Sequence, residues 1–131
     1  LSAQNYLLFI GFLETRKNIE RMVQAYLALS HKLDIPLVLA GDIDKTNKAI
    51  QKLVHNPRVK YIGVISNIEK FALLKNARAF LFPSLYEGFG IPPIEAMKVG
   101  CPVLTSDVSS LPEVCGNAAR YVNPYKLNSL I

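Results

Sequence analysis

Apolar residues follow two alternating patterns along the chain. Short runs rich in valine, isoleucine, leucine and phenylalanine are separated by longer segments in which apolar residues recur at helical spacing. This alternation is typical of βα units, which build a parallel sheet covered by helices on both faces. The predicted strands are 6–10, 37–40, 59–62, 79–82, 103–105 and 120–122. The pattern therefore predicts an α/β fold, a Rossmann-like doubly wound sheet whose ligands bind beyond the carboxyl ends of the strands.

The longer segments between these runs predict helices. The first helix begins near the cap Asn18 and keeps one apolar face as far as Leu29. The others are 44–55, a helix capped by Asn67, the short helix 94–99 closed by Gly100, and a helical turn at 111–115. A turn rich in glycine and proline is predicted over 88–93.

Length and composition indicate one ordinary folded domain over residues 1–131. Half of the residues are hydrophobic and 19% are charged, a balance that supports a buried core. The chain stops at Ile131, where another helix is expected to begin, so we expect it to be a piece of a larger protein. No apolar stretch approaches the roughly 20 residues that span a bilayer, and the first residues do not resemble a secretory signal.

Charge and cysteine content narrow the classes of partner. The formal charge of +5 favours anionic partners such as phosphates, nucleic acids or lipid head groups. The basic residues are scattered along the chain, which argues against a nucleic-acid surface. Cys101 and Cys115 show neither a Cys-x-x-Cys pair nor a metal-ligand spacing, so we expect reduced thiols.

The loop 11–18 joins the first predicted strand to the first helix and suits an anion. Gly11 permits close approach of the backbone, amides at a helix start point toward an anion, and Arg16 and Lys17 add positive charge. The loop is neither a Gly-x-Gly-x-x-Gly fingerprint nor a Gly-Lys-Ser/Thr phosphate loop. We therefore favour a diphosphate site over a dinucleotide oxidoreductase or P-loop ATPase. The alternative is a solvated basic turn with a helix cap.

Two glutamates bracket a run rich in glycine and proline. Glu87 follows the fourth predicted strand and Glu95 lies one turn into the next helix, so both can face one crevice at the carboxyl edge of the sheet. A carboxylate accepts hydrogen bonds from vicinal hydroxyls, and the amides of 89–91 can bind hydroxyl or phosphate oxygens. Alternatively, Glu95 complements the helix dipole and Glu87 caps a turn. That alternative leaves the glycines and prolines between them unexplained.

This stretch resembles the signature of a known enzyme family. The glutamate pair, with Pro-Ser before it and Glu-Ala-Met at its end, is similar to the motif of family four of the retaining GT-B glycosyltransferases. The resemblance runs from Tyr6 to Pro124 and includes Gly41, Gly63, 100–103 and 111–114. The stretch from Ser84 to Gly90, followed by Pro92 and Pro93, most resembles that of bacterial and archaeal mannosyltransferases that build surface polysaccharides. The resemblance implies that this chain is the C-terminal, donor-binding half of a GT-B fold and that an N-terminal domain completes the enzyme.

The resemblance also implies roles for individual residues. Lys17, with Arg16, would bind the donor diphosphate, and Glu95 would hold the ribose hydroxyls. The other implied contacts are Glu87 to the donor sugar, the amides of Phe89, Gly90 and Ile91 to its hydroxyls or the phosphates, Gly11 at the phosphate loop, and Val64 and Ile65 against the nucleobase.

One position departs from the family's pattern. Many members carry an arginine directly after the first-loop glycine, where this sequence has Phe12. We expect Arg16 to compensate, because a single lysine would leave a doubly charged leaving group poorly screened. Enzymes of this family typically need no metal or other cofactor. Asp42 and Asp44 are expected to form a turn and helix cap instead of a metal site.

The activity implied by the resemblance is hexose transfer with retention of configuration. The implied donor is a nucleoside diphosphate sugar, with GDP-mannose favoured, and the acceptor is a glycan or lipid-linked molecule. The isolated domain is expected to be inactive. The implied location is cytoplasmic, including the inner face of the cytoplasmic membrane, with peripheral association of the whole enzyme left open. The alternatives are a glucosyltransferase using UDP- or ADP-glucose and a noncatalytic nucleotide-binding module.

Overall fold

A six-stranded parallel sheet forms the centre of the molecule. The computed structural model describes residues 5–29, 34–85, 91–106 and 120–122. The strands are β1 (Leu7–Ile10), β2 (Leu37–Ala40), β3 (Val59–Gly63), β4 (Ala79–Phe82), β5 (Val103–Ser106) and β6 (Arg120–Val122). Each predicted strand is present, with bounds that differ by at most a residue. The α/β prediction is confirmed.

The order of the strands creates a crevice at one edge of the sheet. The strands lie in the order β3-β2-β1-β4-β5-β6, so the chain reverses its direction of travel between β1 and β4. Leu8 of β1 is in register with Val38 of β2 on one side and with Phe80 of β4 on the other. In open sheets of this kind, ligands bind beyond the carboxyl ends of the two strands at the reversal. The topology therefore predicts a ligand site at the segments that follow β1 and β4.

Helices cover both faces of the sheet. They are a short 3-10 helix (Thr15–Lys17), α1 (Ile19–Leu29), α2 (Lys48–Leu53), α3 (Asn67–Asn76) and α4 (Ile91–Lys98). Helix α1 packs beside α2, and α3 packs beside α4. Because the second pair follows the reversal in strand order, it lies on the opposite face from the first. None of the helices in the described parts of the chain combines the length and apolar character needed to cross a membrane.

The central strands are hydrophobic on both faces, as such a covered sheet requires. Every residue of β2 is buried, and Leu8 and Phe9 of β1 are fully buried. The edge strand β3 instead alternates, with Lys60 and Ile62 exposed. The continuous apolar runs of the sequence therefore form central strands, and the alternating run forms the edge strand β3.

The starts of three helices differ from the prediction. The helix predicted over 44–55 begins only at Lys48, because Asn47 is its cap and accepts a hydrogen bond from the Ile50 amide. Asp44 lies upstream in a turn, where its carboxylate accepts from Thr46. The prediction of a turn at Asp44 is confirmed, but the prediction that Asp44 caps the helix is wrong.

The cap of α3 is Ser66, one residue before the predicted Asn67. The Ser66 hydroxyl accepts from the Glu69 amide, and the Glu69 carboxylate accepts from the Ser66 amide. This reciprocal pair is a capping box, which satisfies two backbone donors at the helix start. Asn67 is therefore the first helical residue.

Helix α4 is longer than predicted at its start. It begins at Ile91, so the predicted turn over 88–93 is wrong from residue 91 onward. Pro92 and Pro93 fit the first helical turn, because amides there have no partner within the helix. The predicted stop is confirmed, since α4 ends at Lys98 and Gly100 follows with φ +77°. The helical turn predicted at 111–115 lies outside the described residues.

Candidate functional site

Glycines lie at the carboxyl ends of three neighbouring strands. Gly11 follows β1, Gly41 follows β2 and Gly63 ends β3. The Gly41 amide donates to the Gly63 carbonyl at 2.8 Å, and a Cβ atom on Gly41 would lie only 2.0 Å from the Gly11 carbonyl oxygen. Gly41 also has φ +127°, which disfavours a side chain. The backbones at this edge therefore lie closer together than any other residue at 41 would allow.

The loop between Gly11 and α1 is firmly attached to the rest of the molecule. Leu13 is fully buried, its amide donates to the Asp42 carbonyl at 2.8 Å, and its carbonyl accepts from the Asp44 amide at 3.0 Å. The Asn47 side chain donates to the Thr15 hydroxyl at 3.1 Å. The basic residues that follow Leu13 are thus presented from a fixed backbone.

Lys17 is nearly buried at the end of this loop, with 8% of its surface exposed. Its Nζ atom lies 5.1 Å from the centroid of the Phe82 ring, the last residue of β4. A cation over an aromatic face is stabilised by the negative potential of that face. Lys17, the residue predicted to bind the diphosphate, is thereby held beside the carboxyl end of β4, at the reversal in strand order.

Arg16 is tied to the same strand end through its backbone. Its carbonyl accepts from the Leu85 amide at 2.8 Å and from the Ser84 hydroxyl at 3.4 Å. Its side chain is 46% exposed, and its Nε atom donates to Glu14 at 2.8 Å. The guanidinium therefore lies at the surface of the loop, beside a carboxylate of its own segment.

Asn18 lies directly before α1, as predicted for a cap. Its carbonyl accepts from the Met22 amide, but its backbone is left-handed with φ 65°, whereas a helix cap is usually extended. Its Oδ1 atom accepts from the Arg21 guanidinium. Phe12, which directly follows Gly11, is exposed on the loop.

Buried polar side chains concentrate at this edge of the sheet. Among the described residues they are Lys17, Asn18, Ser84 and Thr105. The Thr105 hydroxyl donates to the Phe82 carbonyl at 2.8 Å, which joins β5 to the end of β4. Buried polar groups are more informative than exposed ones, because they need partners to offset lost hydration. Their position supports a functional site at this edge.

Glu95 reaches the same edge from α4. Its Oε2 atom accepts from Lys70 Nζ of α3 at 2.7 Å. Both side chains line a pocket of about 150 Å³, together with Ile10, Gly11, Leu74 and Phe80. Gly11 therefore belongs both to this pocket and to the loop that carries Arg16 and Lys17.

The chain matches known proteins along almost its whole length. The family described as Glycosyl transferases group 1 matches residues 2–128. The chain belongs to the group 1 glycosyl transferases. The family predicted from the glutamate motif is thereby confirmed.

Individual relatives within this family are mannosyltransferases. The chain is 37% identical over 136 residues to O-antigen chain mannosyltransferase B of Escherichia coli, covering 99% of this chain and 36% of the relative. It is 35% identical over 124 residues to O-antigen chain mannosyltransferase RfbU of Salmonella typhimurium, covering 92% and 35%. The chain thus spans about a third of the length of these relatives.

The fold is also similar to that of a solved enzyme structure. Sucrose-phosphate synthase from Thermosynechococcus elongatus superposes with a TM-score of 0.79 at 27% identity, over 97% of this chain and 34% of that protein. The predicted likeness to GT-B glycosyltransferases is confirmed at the level of the fold.

The structure describes only part of the motif that runs from Glu87 to Glu95. Glu87, Phe89 and Gly90 lie outside the described residues, and Ile91 begins α4. Val64 and Ile65 directly follow β3 at the same carboxyl edge, and Val64 is 75% exposed. The structure therefore brings Gly11 together with Glu95 and places the loop of Arg16 and Lys17 on the end of β4. The ligand roles of all these residues remain predictions.

The acidic pair Asp42 and Asp44 is engaged in local structure. Asp42 Oδ1 accepts from the Ile43 amide at 2.8 Å. Hydrogen bonds from Thr46 lower the pKa of Asp44 below its usual value. Within the described ranges, no group of three or more His, Cys, Asp or Glu side chains is placed to hold a metal ion.

Cys101 is a free thiol, buried after α4. Burial raises its pKa to about 11, with a smaller opposing effect of a hydrogen bond from the Phe80 backbone. It is therefore protonated at neutral pH and is no nucleophile there.

Lys70 is the residue that sequence reasoning missed. In the sequence it is one of two lysines on a helix of ordinary composition. Its contact with Glu95 arises because α3 and α4 lie side by side after the reversal in strand order. A search for basic residues on the helix preceding β4 would have found Lys70 and Lys75 alike, and only the structure decides between them.

Proposed function

We propose that this chain is the donor-binding domain of a retaining hexosyltransferase. The whole enzyme would transfer mannose from GDP-mannose to a glycan or lipid-linked acceptor. One observation carries the proposal: Gly11 links the loop of Lys17 to the pocket of Glu95 at the reversal in strand order. Cations on one side suit a diphosphate, and a carboxylate on the other suits a diol. The mannosyltransferase relatives support mannose as the transferred sugar.

Donor binding would begin with the diphosphate. Lys17 contributes a positive charge close to the ring of Phe82, and Arg16 contributes a second from the exposed part of the loop. Nearly buried charges act through a lower effective dielectric than charges in water, so Lys17 would bind the anion more strongly than an exposed lysine. The site is thus suited to a doubly charged group.

The nucleoside would lie toward α3 and α4. Glu95 is an acceptor suited to the two ribose hydroxyls, because an ionised carboxylate offers two oxygens to paired donors. The base would pack against Val64 and Ile65, where exposed apolar surface adjoins the end of β3. Glu87 would contact the donor sugar, and amides at residues 89–91 would bind its hydroxyls or the phosphates.

Catalysis would rest on stabilising the departing diphosphate. As the bond from the sugar to the phosphate oxygen breaks, negative charge collects on that oxygen, and Lys17 and Arg16 would be placed to neutralise it. Charges fixed in advance lower the barrier without reorganising during the reaction. We propose that the departing phosphate accepts the proton of the acceptor hydroxyl and that no cofactor is needed.

The acceptor would bind to the rest of the protein. This chain spans about a third of its relatives, so we propose that it binds donor weakly and turns over little or none alone. We further propose that the enzyme works on the cytoplasmic side of a membrane, with peripheral attachment through its other domain.

Transfer assays on the full-length enzyme test the proposal. Radiolabelled GDP-mannose, UDP-glucose and ADP-glucose would be offered with a lipid-linked glycan, and the anomeric configuration of the product would be read by NMR. Transfer of mannose with retention, abolished in Lys17→Met, is the expected result. Nucleotide binding without transfer from any donor would favour a noncatalytic module instead.

A glucosyl donor is the second candidate. The similarity to sucrose-phosphate synthase, at 27% identity, favours it. Competition between GDP-mannose and UDP- or ADP-glucose in the same assay separates the two candidates. Preferential transfer of glucose would keep the reaction class and change the donor.

A further inference from the structure

An ion pair joins α3 to α4 inside the pocket at the carboxyl edge. Lys70 Nζ lies 2.7 Å from Glu95 Oε2, and the two side chains are 21% and 23% exposed. The pair is therefore shielded from much of the solvent that weakens fully exposed ion pairs. A short contact in such surroundings restricts the rotation of both side chains.

The ammonium of Lys70 has a second constraint. It lies 5.2 Å from the centroid of the Phe71 ring, a distance at which the face of the ring attracts a cation. Phe71 is the next residue on α3. Lys70 is thus held between an aromatic ring and the carboxylate, and it fixes the carboxylate in turn.

We propose that Lys70 is a positioning residue that orients Glu95 for the ribose diol of the donor nucleotide. The inference rests on the proposed function, in which Glu95 binds the ribose. One hydrogen bond to Lys70 uses part of the acceptor capacity of a carboxylate and leaves the rest for hydroxyls. Because Glu95 is already oriented, less side-chain freedom is lost when the nucleotide binds.

Helix packing alone is the competing explanation for the pair. A purely structural pair would stabilise the contact of α3 with α4 and would affect all ligands of the domain equally. A positioning pair affects only ligands that carry the ribose hydroxyls. Nucleotides with and without these hydroxyls therefore separate the two roles.

The test is calorimetric titration of the wild-type chain and of its variants. Each is titrated with GDP, UDP and ADP, and then with the 2′,3′-dideoxy form of the nucleotide that binds best. The variants are Lys70→Met, Lys70→Arg, Glu95→Gln and the double variant Lys70→Met/Glu95→Gln. Lys75→Met is the matched control, because Lys75 is an exposed lysine on the last turn of the same helix. Circular dichroism and melting temperature confirm that each variant is folded.

Lys70→Met is expected to weaken binding of the ribonucleotide by about two- to tenfold, the cost of ordering one flexible side chain. Lys70→Arg restores most of this loss, and Lys75→Met leaves the affinity unchanged. The double variant binds no more weakly than Glu95→Gln alone. With the dideoxy nucleotide, Lys70→Met binds as the wild type does.

Other outcomes would overturn the inference. If Glu95→Gln weakens binding and Lys70→Met does not, the proposed function stands and the positioning role is wrong. An equal loss in Lys70→Met for ribo- and dideoxynucleotide would make the pair merely structural. If Glu95→Gln binds as the wild type does, Glu95 is no ribose ligand and Lys70 has nothing to position. If the wild type binds none of the three nucleotides, the proposed function fails and the inference fails with it.

Discussion

The ammonium of Lys17 lies over the ring of Phe82, 5.1 Å from its centroid. Lys17 ends the 3-10 helix that follows β1, and Phe82 ends β4. The contact therefore joins the two strand ends at which the sheet reverses its order. It places a nearly buried cation beside the crevice where a nucleotide is proposed to bind.

Replacing Phe82 by leucine is expected to weaken binding of a nucleoside diphosphate by about two- to tenfold, because the ring no longer holds the ammonium. Affinity would be measured by titration calorimetry. Phe9→Leu is the matched control, since Phe9 is fully buried and stacks on Phe82 at 5.9 Å. It removes a comparable ring and leaves Phe82 in place. Equal affinities in the two variants would argue against the role of the cation–ring contact.

Arg16→Ala is expected to weaken donor binding about tenfold, which corresponds to about 1.4 kcal/mol. The reason is that Arg16 supplies the second positive charge of the loop, next to Lys17. Lys48→Ala controls for net charge, because Lys48 is exposed on α2. An Arg16 variant that matches Lys48→Ala in affinity would remove Arg16 from the site.

Gly41→Ala is expected to destabilise the fold by more than about 1 kcal/mol and to weaken nucleotide binding. The added Cβ atom would meet the Gly11 carbonyl oxygen and force the ends of β1 and β2 apart. Urea unfolding and titration measure the two effects. Gly100→Ala is the control, because Gly100 also has a positive φ but an added Cβ atom there would enter open space. A Gly41 variant no less stable than the Gly100 variant would show that close approach is not required.

The capping box of α3 is expected to make stability depend on pH. Hydrogen bonds from the Ser66 backbone and then its side chain lower the pKa of Glu69 in the folded protein below its ordinary 4.5. A carboxylate with a depressed pKa stabilises the fold above its unfolded pKa, and this contribution disappears as pH falls through the folded pKa. The melting temperatures of wild type and Glu69→Ala should therefore differ at pH 7 and converge at acidic pH below 4.5. A difference that is constant with pH would contradict this account.

Most of the sheet could be predicted from the sequence. The runs at Leu37–Ala40 and Ala79–Phe82 are apolar and bounded by turn residues, and the structure reproduces both sets of bounds. Glycines mark the ends of β1, β2 and β3. The close approach of the Gly11 carbonyl requires a glycine at 41, and the positive φ of Gly63 favours one there. Burial and turn chemistry, both visible in the sequence, decided these elements.

Helix starts were harder to predict because neighbouring residues can all serve as caps. Ser66 and Asn67 are both common caps, and the Glu69 three residues after Ser66 was the signal that decides between them. For α4, proline next to glycine predicts a turn, although proline is also suited to the first helical turn.

The contacts of the site depended on topology and could not be predicted from sequence. The glycine loop and Glu95 were found from residue type and position. The pairing of Lys70 with Glu95 needs the side-by-side placement of α3 and α4. The contact of Lys17 with Phe82 needs β1 and β4 to be neighbours, although they are far apart in the sequence.

Titration of the wild-type chain and of Lys17→Met with GDP, UDP and ADP tests the central claim most directly, namely that this edge of the sheet binds the donor nucleotide. We expect measurable binding of one nucleotide, with GDP favoured, and loss of most of that affinity in Lys17→Met. Binding that is unchanged in Lys17→Met, or no binding of any of the three, would contradict the account.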